Sequence, residues 1–404
     1  MILKDTLRKV VRSQQQTISA LPLGIKRDEL SLLEKAFPFA LVITGIRRCG
    51  KSTLLLQLAD KYGKYYYFNF EDPRAVGFEA SDFEKLDEVF HEEKGSCDSY
   101  FFDEIQNVPR WELFVRGLLD RKKHVVITGS SASLFSSELG TKLTGRHIRH
   151  ELFPFSFNEF LKLKKIKPSL DSFKEYFVKG GFPDFLLTEK EDALQELMVD
   201  IIARDIAVRY KIRNTKKLNE MAVYLMSNIG KEFSYNSLKK IFGLGSINSA
   251  ISFVGNLEES YLIFNVPRFS ASIKKQIMNP KKVYSIDNGL SKANSASFSE
   301  DSGRMLENLV FISLKRHNKR IFYFREEGEC DFIVKDQQGR LSAIQVCFEL
   351  NENNKERELK GLLEAMKKTR TSSGLILTYG QEDELVLEQR KITIKPVWKW
   401  LLEQ

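Results

Sequence analysis

Residues 45–52 read Gly-Ile-Arg-Arg-Cys-Gly-Lys-Ser, directly behind the apolar run 37–44 (FPFALVIT) and directly ahead of KSTLLLQLADKY, which has helical spacing. The pattern G-x-x-x-x-G-K-[ST] between a strand and a helix admits few folds: a buried parallel strand must end in a glycine-rich turn from which a helix starts. Such a turn aims backbone N–H groups and the positive end of a helix at an anion, so it is a phosphate-binding loop. Gly45, Ile46, Arg47, Arg48, Cys49, Gly50, Lys51, Ser52 and Thr53 are therefore the expected nucleotide-binding residues. Lys51 would neutralise the outer phosphates, and the Ser52 hydroxyl would ligate Mg2+.

Binding alone does not make an ATPase; hydrolysis needs a carboxylate to hold the metal and a group to activate water. The run Tyr100-Phe101-Phe102-Asp103-Glu104, an apolar strand ending in two acids, offers both. Asp103 is the expected magnesium-side acid, and Glu104 the expected base toward a γ-phosphorus. Further on, Thr128-Gly129-Ser130-Ser131 closes another apolar run, and Ser130 is a candidate γ-phosphate sensor or, alternatively, a strand-ending turn residue. Leu143-Thr144-Gly145-Arg146 presents Arg146 as a candidate arginine finger acting on a neighbouring subunit, with Arg149 as its competitor. The chain has no N-K-x-D element for guanine and no L-S-G-G-Q signature, which turns the reading away from GTPases and transporter ATPases. ATP and Mg2+ are the expected cofactors.

From residue 37 to 155 strand-like and helix-like runs alternate, which predicts a parallel, doubly wound α/β sheet. Ser81 and Glu84 are spaced as a capping box for a helix over 81–92. Beyond residue 156 the pattern is helical as far as 215, a segment read as a lid that covers the nucleotide. Residues 216–283 give three short helices, the strand-like YLIFNVPRF and a Lys-rich hairpin, the outline of a winged helix. Residues 284–404 form a second α/β segment, with strands expected at IFYFRE, CDFIVKD, SAIQVCFEL and SGLILTYG.

The chain has 404 residues and a formal net charge of +9, enough for two or three domains and suited to an acidic partner such as DNA. Ten Lys or Arg against four acids lie between Lys216 and Lys282, and Lys274, Lys275, Lys281 and Lys282 are placed on or near the wing, where they would meet phosphates. Asn248, Ser249, Ser252 and Asn256 lie on the candidate recognition helix, which carries no basic residue; a winged helix that serves protein contacts is the alternative. The four cysteines are far apart and form no C-x-x-C, which suggests a reducing compartment. Without a signal-peptide block or a bilayer-length apolar run, a cytoplasmic protein with no membrane contact is expected.

Taken in order, GIRRCGKS, NFEDPR (69–74), FFDEIQNVPRWE (101–112), TGSSASL (128–134), LTGR (143–146) and LFPFSFNEF (152–160) resemble a prokaryotic family of AAA-superfamily ATPases. Gly180-Gly181-Phe182-Pro183, Arg204-Asp205, Glu307-Asn308 and Cys330-Asp331-Phe332 extend the resemblance over nearly the whole chain. It implies an AAA-type ATPase core (1–155), a helical lid (156–215), a winged-helix domain (216–283) and a C-terminal domain similar to restriction-endonuclease-like folds (284–404). Those folds hold metal with an acid, a second acid on a strand, and an E-x-K pair on the next strand. Glu307 and Asp331 take the first two places, but the third reads Gln345-Val346-Cys347, which argues for a structural or binding role rather than nuclease activity; the plain alternative for Asp331 is an ion pair with a cation such as Arg325. Three functions follow in order: an ATPase coupled to DNA binding, a slow nucleotide-regulated switch acting on protein partners, and a metal-dependent nuclease.

Overall fold

The computed structural model describes residues 1–33, 36–130, 143, 145–212, 214–296, 301–317 and 319–404. They form two compact units, Met1–Leu152 and Phe153–Gln404.

The first unit is built on a five-stranded sheet: β1 (Ala40–Thr44), β2 (Tyr66–Asn69), β3 (Ser99–Asp103), β4 (His124–Gly129) and β5 (His147–Glu151), in the order β2-β3-β4-β1-β5. Every neighbouring pair is parallel. Because the strands point one way, the segments that follow β1, β3 and β4 leave the sheet along one edge, where α/β folds bind ligands. β1 and β3 are buried along their whole length, which is why they read as unbroken apolar runs. One side of the sheet packs Tyr66, Phe68, Tyr100 and Phe102 against Leu86, Phe90, Val115 and Leu118 from the helices Asp82–Lys94 and Trp111–Asp120.

The N-terminal helix Lys4–Ala20 buries Leu7, Val10 and Val11. It joins the helix Asp82–Lys94 through the pairs Lys4–Glu88, Arg8–Glu92 and Arg12–Glu93. The capping box expected of Ser81 and Glu84 does not form, since Ser81 has helical backbone angles and its side chain caps nothing. The buried Asp82 carboxylate instead accepts from the N–H groups of Ile2 and Glu79. A contact 80 residues away thus decides how this helix begins.

The second unit starts with the helices Phe157–Lys164, Leu170–Lys179, Pro183–Thr188 and Asp192–Asp200, the last of which continues as a π-helical stretch, Ile201–Val208. Gly180 and Gly181 close onto Asp287. The Gly181 N–H donates to the Asp287 carboxylate at 2.7 Å, and a Cβ on Gly181 would stand 2.2 Å from the Phe155 carbonyl oxygen. The neighbouring Asn288 accepts from Asn308, whose own carbonyl receives the Ser285 N–H. The Gly180-Gly181 and Glu307-Asn308 motifs are thereby parts of one buried hydrogen-bond network.

Helices Thr215–Met226, Tyr235–Ile241 and Ile247–Glu259 accompany a small antiparallel sheet, β6 (Glu232–Phe233), β7 (Ile263–Pro267) and β8 (Lys281–Ser285), in the order β6-β8-β7. The expected hairpin between β7 and β8 contains a short helix, Ile273–Met278, on which Lys274 and Lys275 are exposed. Lys282 departs from expectation: it is 2% exposed, on an inward-facing position of β8, and does not reach solvent phosphates.

The remaining sheet comprises β9 (Arg320–Arg325), β10 (Glu329–Lys335), β11 (Leu341–Cys347), β12 (Ser373–Thr378), β13 (Asp383–Leu387) and β14 (Arg390–Pro396), in the order β13-β14-β12-β11-β10-β9. β11, β12 and β14 are parallel and the other pairs antiparallel. Four of these strands were legible in the sequence; the β13–β14 hairpin was not. Its turn residues, Glu388 and Gln389, both have positive φ, a conformation signalled ordinarily by Asn-Gly rather than Glu-Gln.

Candidate active site

The loop after β1 has the geometry its glycines imply. Gly45 has φ 156° and Gly50 φ 98°; a Cβ on Gly45 would lie 2.2 Å from the Leu152 carbonyl oxygen, so only a glycine lets the loop lie there. Gly50 begins the helix Lys51–Asp60 without a side-chain cap, leaving its positive N-terminus facing the loop. Ile46 and Cys49 are buried, Arg48 and Ser52 exposed, and Thr53 partly exposed.

Residues from outside the motif brace this loop. The buried Arg27 donates from Nη1 to the Cys49 carbonyl at 2.9 Å, and Gln57 ties the strap that carries Arg27 to the helix by donating to the Leu23 and Ile25 carbonyls. Arg47 pairs with Glu71 at 3.0 Å. Glu71 belongs to the NFEDPR run, which holds itself in shape: Asn69 accepts from the Glu71 N–H, and Asp72 caps the turn Pro73–Ala75 while pairing with Arg74.

Lys51 is 4% exposed and lies among acceptors. Its Nζ donates to the carbonyls of Gly45 and Ile46, each at 3.2 Å, and stands 3.6 Å from Glu104 Oε1. Asp103 ends β3 and Glu104 follows with φ 51°, a left-handed kink that separates two adjacent carboxylates. Thr128 on β4 addresses both: its hydroxyl donates to Asp103 Oδ1 and accepts the Glu104 N–H at 3.0 Å. Tyr67 adds a hydrogen bond to Asp103 Oδ2 at 3.3 Å. Ser130 donates to Glu104 Oε1 at 2.6 Å, and Gln106 donates to the other oxygen.

These surroundings separate the two acids electrically. Burial, with the Glu104 charge, lifts Asp103 above the usual carboxylate range against the opposing hydroxyls of Thr128 and Ser52. Burial also works to lift Glu104, but the Lys51 ammonium, aided by Ser130 and Gln106, overcomes it and holds Glu104 below its ordinary value. Glu104 is consequently an anion at neutral pH, as a base must be.

The residues present fit a magnesium nucleotide. A cradle that a Cβ would fill, an uncapped helix start, one ammonium, and an oxygen donor set of the Ser52 hydroxyl and the Asp103 carboxylate meet at one sheet edge. Gln106 Oε1 is buried with no hydrogen-bond partner among the described residues, an acceptor at the same place.

Of the expected site residues, the structure brings together Lys51, Ser52, Asp103, Glu104 and Ser130. It does not bring Arg146 to this chain's own loop. Arg146 precedes β5, and Ala40 pairs with His147 where Thr44 pairs with Glu151, so Arg146 lies at the edge of the sheet opposite the loop. There it pairs with Asp120 at 2.7 Å. Arg149 is on β5 and exposed. Ser131 and Thr144 lie outside the described residues. The sequence reading passed over the bridging role of Thr128, although it sits in the same TGSS run, and did not single out Gln106 within FFDEIQNVPRWE; Tyr67 and Arg27 carried no local signal.

Residues 38–161 match the family model of an AAA domain, residues 170–301 a domain of unknown function (DUF8612) and residues 302–400 another (DUF4143). An uncharacterized protein of Methanocaldococcus jannaschii is 35% identical over 395 residues, covering 89% of this chain and 88% of its own length. One of Haemophilus influenzae is 30% identical over 341 residues, covering 79% and 84%. Among solved structures, a Walker-type ATPase of Pyrococcus abyssi aligns over 67% of this chain and 95% of its own, at 14% identity and a TM-score of 0.43. The chain therefore belongs to one family with the Methanocaldococcus jannaschii and Haemophilus influenzae proteins, and its residues 38–161 carry an AAA domain.

Proposed function

We propose that this protein hydrolyses ATP and that its nucleotide state governs DNA binding by the basic module 216–283. The observation that carries the first half is the Lys51–Glu104–Ser130 contact beside Asp103: an ammonium for the phosphates and an oriented, ionised carboxylate within 3.6 Å of it. Ser52 and Asp103 would hold Mg2+, which when bound neutralises charge on the phosphate oxygens. Lys51 supplies the positive charge for the γ-phosphate. Glu104 then accepts a proton from a water as the water oxygen bonds to the γ-phosphorus; the bond to the bridging oxygen breaks and ADP leaves. Arg146, remote from its own site, suits a finger offered to a neighbouring subunit, and reduced turnover in Arg146→Ala only in assembled protein would support that role.

The DNA half rests on Lys274 and Lys275, exposed on the helix Ile273–Met278, and on the partly or fully exposed Lys239 and Lys240. A second reading, a nucleotide-regulated switch acting on a protein partner, is favoured by one feature of the same module. Its candidate recognition helix exposes Ile247 and Ile251, at 44% and 43%, where a base-reading helix would offer polar groups. Steady-state hydrolysis with and without single- and double-stranded DNA separates them, with Glu104→Gln as control. DNA-stimulated turnover that falls about 10^2–10^4-fold in Glu104→Gln, with ATP still bound, is the expected result. Turnover indifferent to DNA transfers the reading to the switch, and normal turnover in Glu104→Gln removes Glu104 as the base. Among the described residues no helix is long and apolar enough to cross a membrane.

A further inference from the structure

Where a nuclease-like site would hold a divalent metal, the second unit holds its own lysine. Glu307 from the helix Ser302–Arg316 and Asp331 from β10 do converge, as their places in the sequence suggested. Between them stands Lys282, from β8 of the preceding module, with Nζ 3.0 Å from Glu307 Oε1, 3.0 Å from Asp331 Oδ1 and 2.8 Å from Glu329 Oε1. An ammonium has three N–H donors, and here three carboxylates take them. Burial alone would strip the proton from Lys282, but the carboxylates of Glu307, Asp331 and Glu329 hold it on.

The other groups are committed as well. Tyr284 donates to Glu307 Oε1 at 2.5 Å, and Asp331 Oδ2 accepts the Val346 N–H at 3.0 Å. Gln345, which stands where a nuclease would have its third acid, accepts the Asp331 N–H and donates to Glu358. Arg325, the cation expected beside Asp331, pairs with Glu232 instead. Among the described residues no group of three His, Cys, Asp or Glu is arranged to hold a metal. The donor set does not fit a divalent ion while the lysine is there.

We propose that Lys282 is a built-in counter-ion occupying the position of a divalent cation, so that the Glu307–Glu329–Asp331 pocket binds no metal and the C-terminal unit acts as a scaffold. The lysine comes from the basic module and its acids from the terminal domain, so the same contact pins the two together inside the second unit. The inference is independent of the ATPase reading.

The test uses the full-length protein without nucleotide, with Mn2+ as the probe. Wild type is expected to show no Mn2+ bound by electron paramagnetic resonance beyond what Asp331→Asn shows, and no Mn2+-dependent rise in Tm. Lys282→Ala vacates the centre of three carboxylates and is expected to gain a Mn2+-dependent Tm rise of about 5 °C at saturating metal, lost again in Lys282→Ala/Asp331→Asn. A Mn2+ ion held by wild type and lost in Asp331→Asn overturns the proposal, as does a folded Lys282→Ala that gains nothing. Should Lys282→Ala not fold, Lys282→Met keeps the aliphatic stem, and the wild-type comparison with Asp331→Asn decides by itself.

Discussion

Replacing Lys51 by methionine should destabilise the nucleotide-free protein, before any ligand is involved. The Lys51 ammonium is 4% exposed and faces the buried Glu104 at 3.6 Å. At an effective dielectric near 20, two unit charges at that separation attract by about 4–5 kcal/mol before desolvation is counted. Removing one partner of a buried pair leaves the other uncompensated, at a cost of about 3–5 kcal/mol. For a domain of this size each kcal/mol moves Tm by about 2–4 °C, so the first unit of Lys51→Met should melt about 6–20 °C below wild type. The reasoning also specifies a rescue: Lys51→Met/Glu104→Gln removes the orphaned charge and should recover at least half of the loss. Glu104 has a depressed pKa in the folded protein, so its contribution is present above its unfolded value and is lost as pH falls. The gap between wild type and Lys51→Met should accordingly narrow as pH falls, because Glu104, lifted by burial once Lys51 is gone, protonates earlier in the variant. Calorimetry on the nucleotide-free proteins measures all three. A Lys51→Met transition within about 2 °C of wild type, or a double variant no more stable than the single, would refute the coupling of Lys51 to Glu104.

Other changes test other contacts. Ser130→Ala removes the 2.6 Å bond to Glu104, a charge-assisted bond of about 1.5–3 kcal/mol, and turnover should fall about 10–150-fold with ATP affinity nearly unchanged. Faster turnover in that variant would instead mean that Ser130 restrains Glu104 in a resting position. Gly181→Ala would place a methyl 2.2 Å from the Phe155 carbonyl oxygen; a soluble variant with wild-type Tm would contradict the packing described for the second unit. Burial raises Asp287 to about 6. Below its unfolded value its stabilising effect is complete, and it declines as pH rises through the folded value, by up to about 3 kcal/mol. The second unit should therefore have a higher Tm at pH 5 than at pH 8, and the opposite slope would show that the Asp287 carboxyl is not desolvated.

The sequence by itself determined the parts of this protein whose signal is local. The strand–glycine loop–helix of residues 37–60 and the apolar strand ending in Asp103-Glu104 are contiguous, and backbone geometry over a few residues dictates them. The parallel sheet was legible for the same reason, because fully buried strands are written as unbroken apolar runs. Tertiary structure alone decided which of several nearby polar residues reaches which acid. Thr128 bridges Asp103 and Glu104 from 25 and 24 residues away, Arg27 supports the loop from 22, and no spacing rule connects them. The same holds for Lys282, one lysine in a basic stretch, with nothing local to mark it as the one turned inward. Its partners Glu307 and Asp331 lie 25 and 49 residues further along, and only the pairing of β8 within its sheet and the arrival of β10 turn a surface cation into a buried counter-ion.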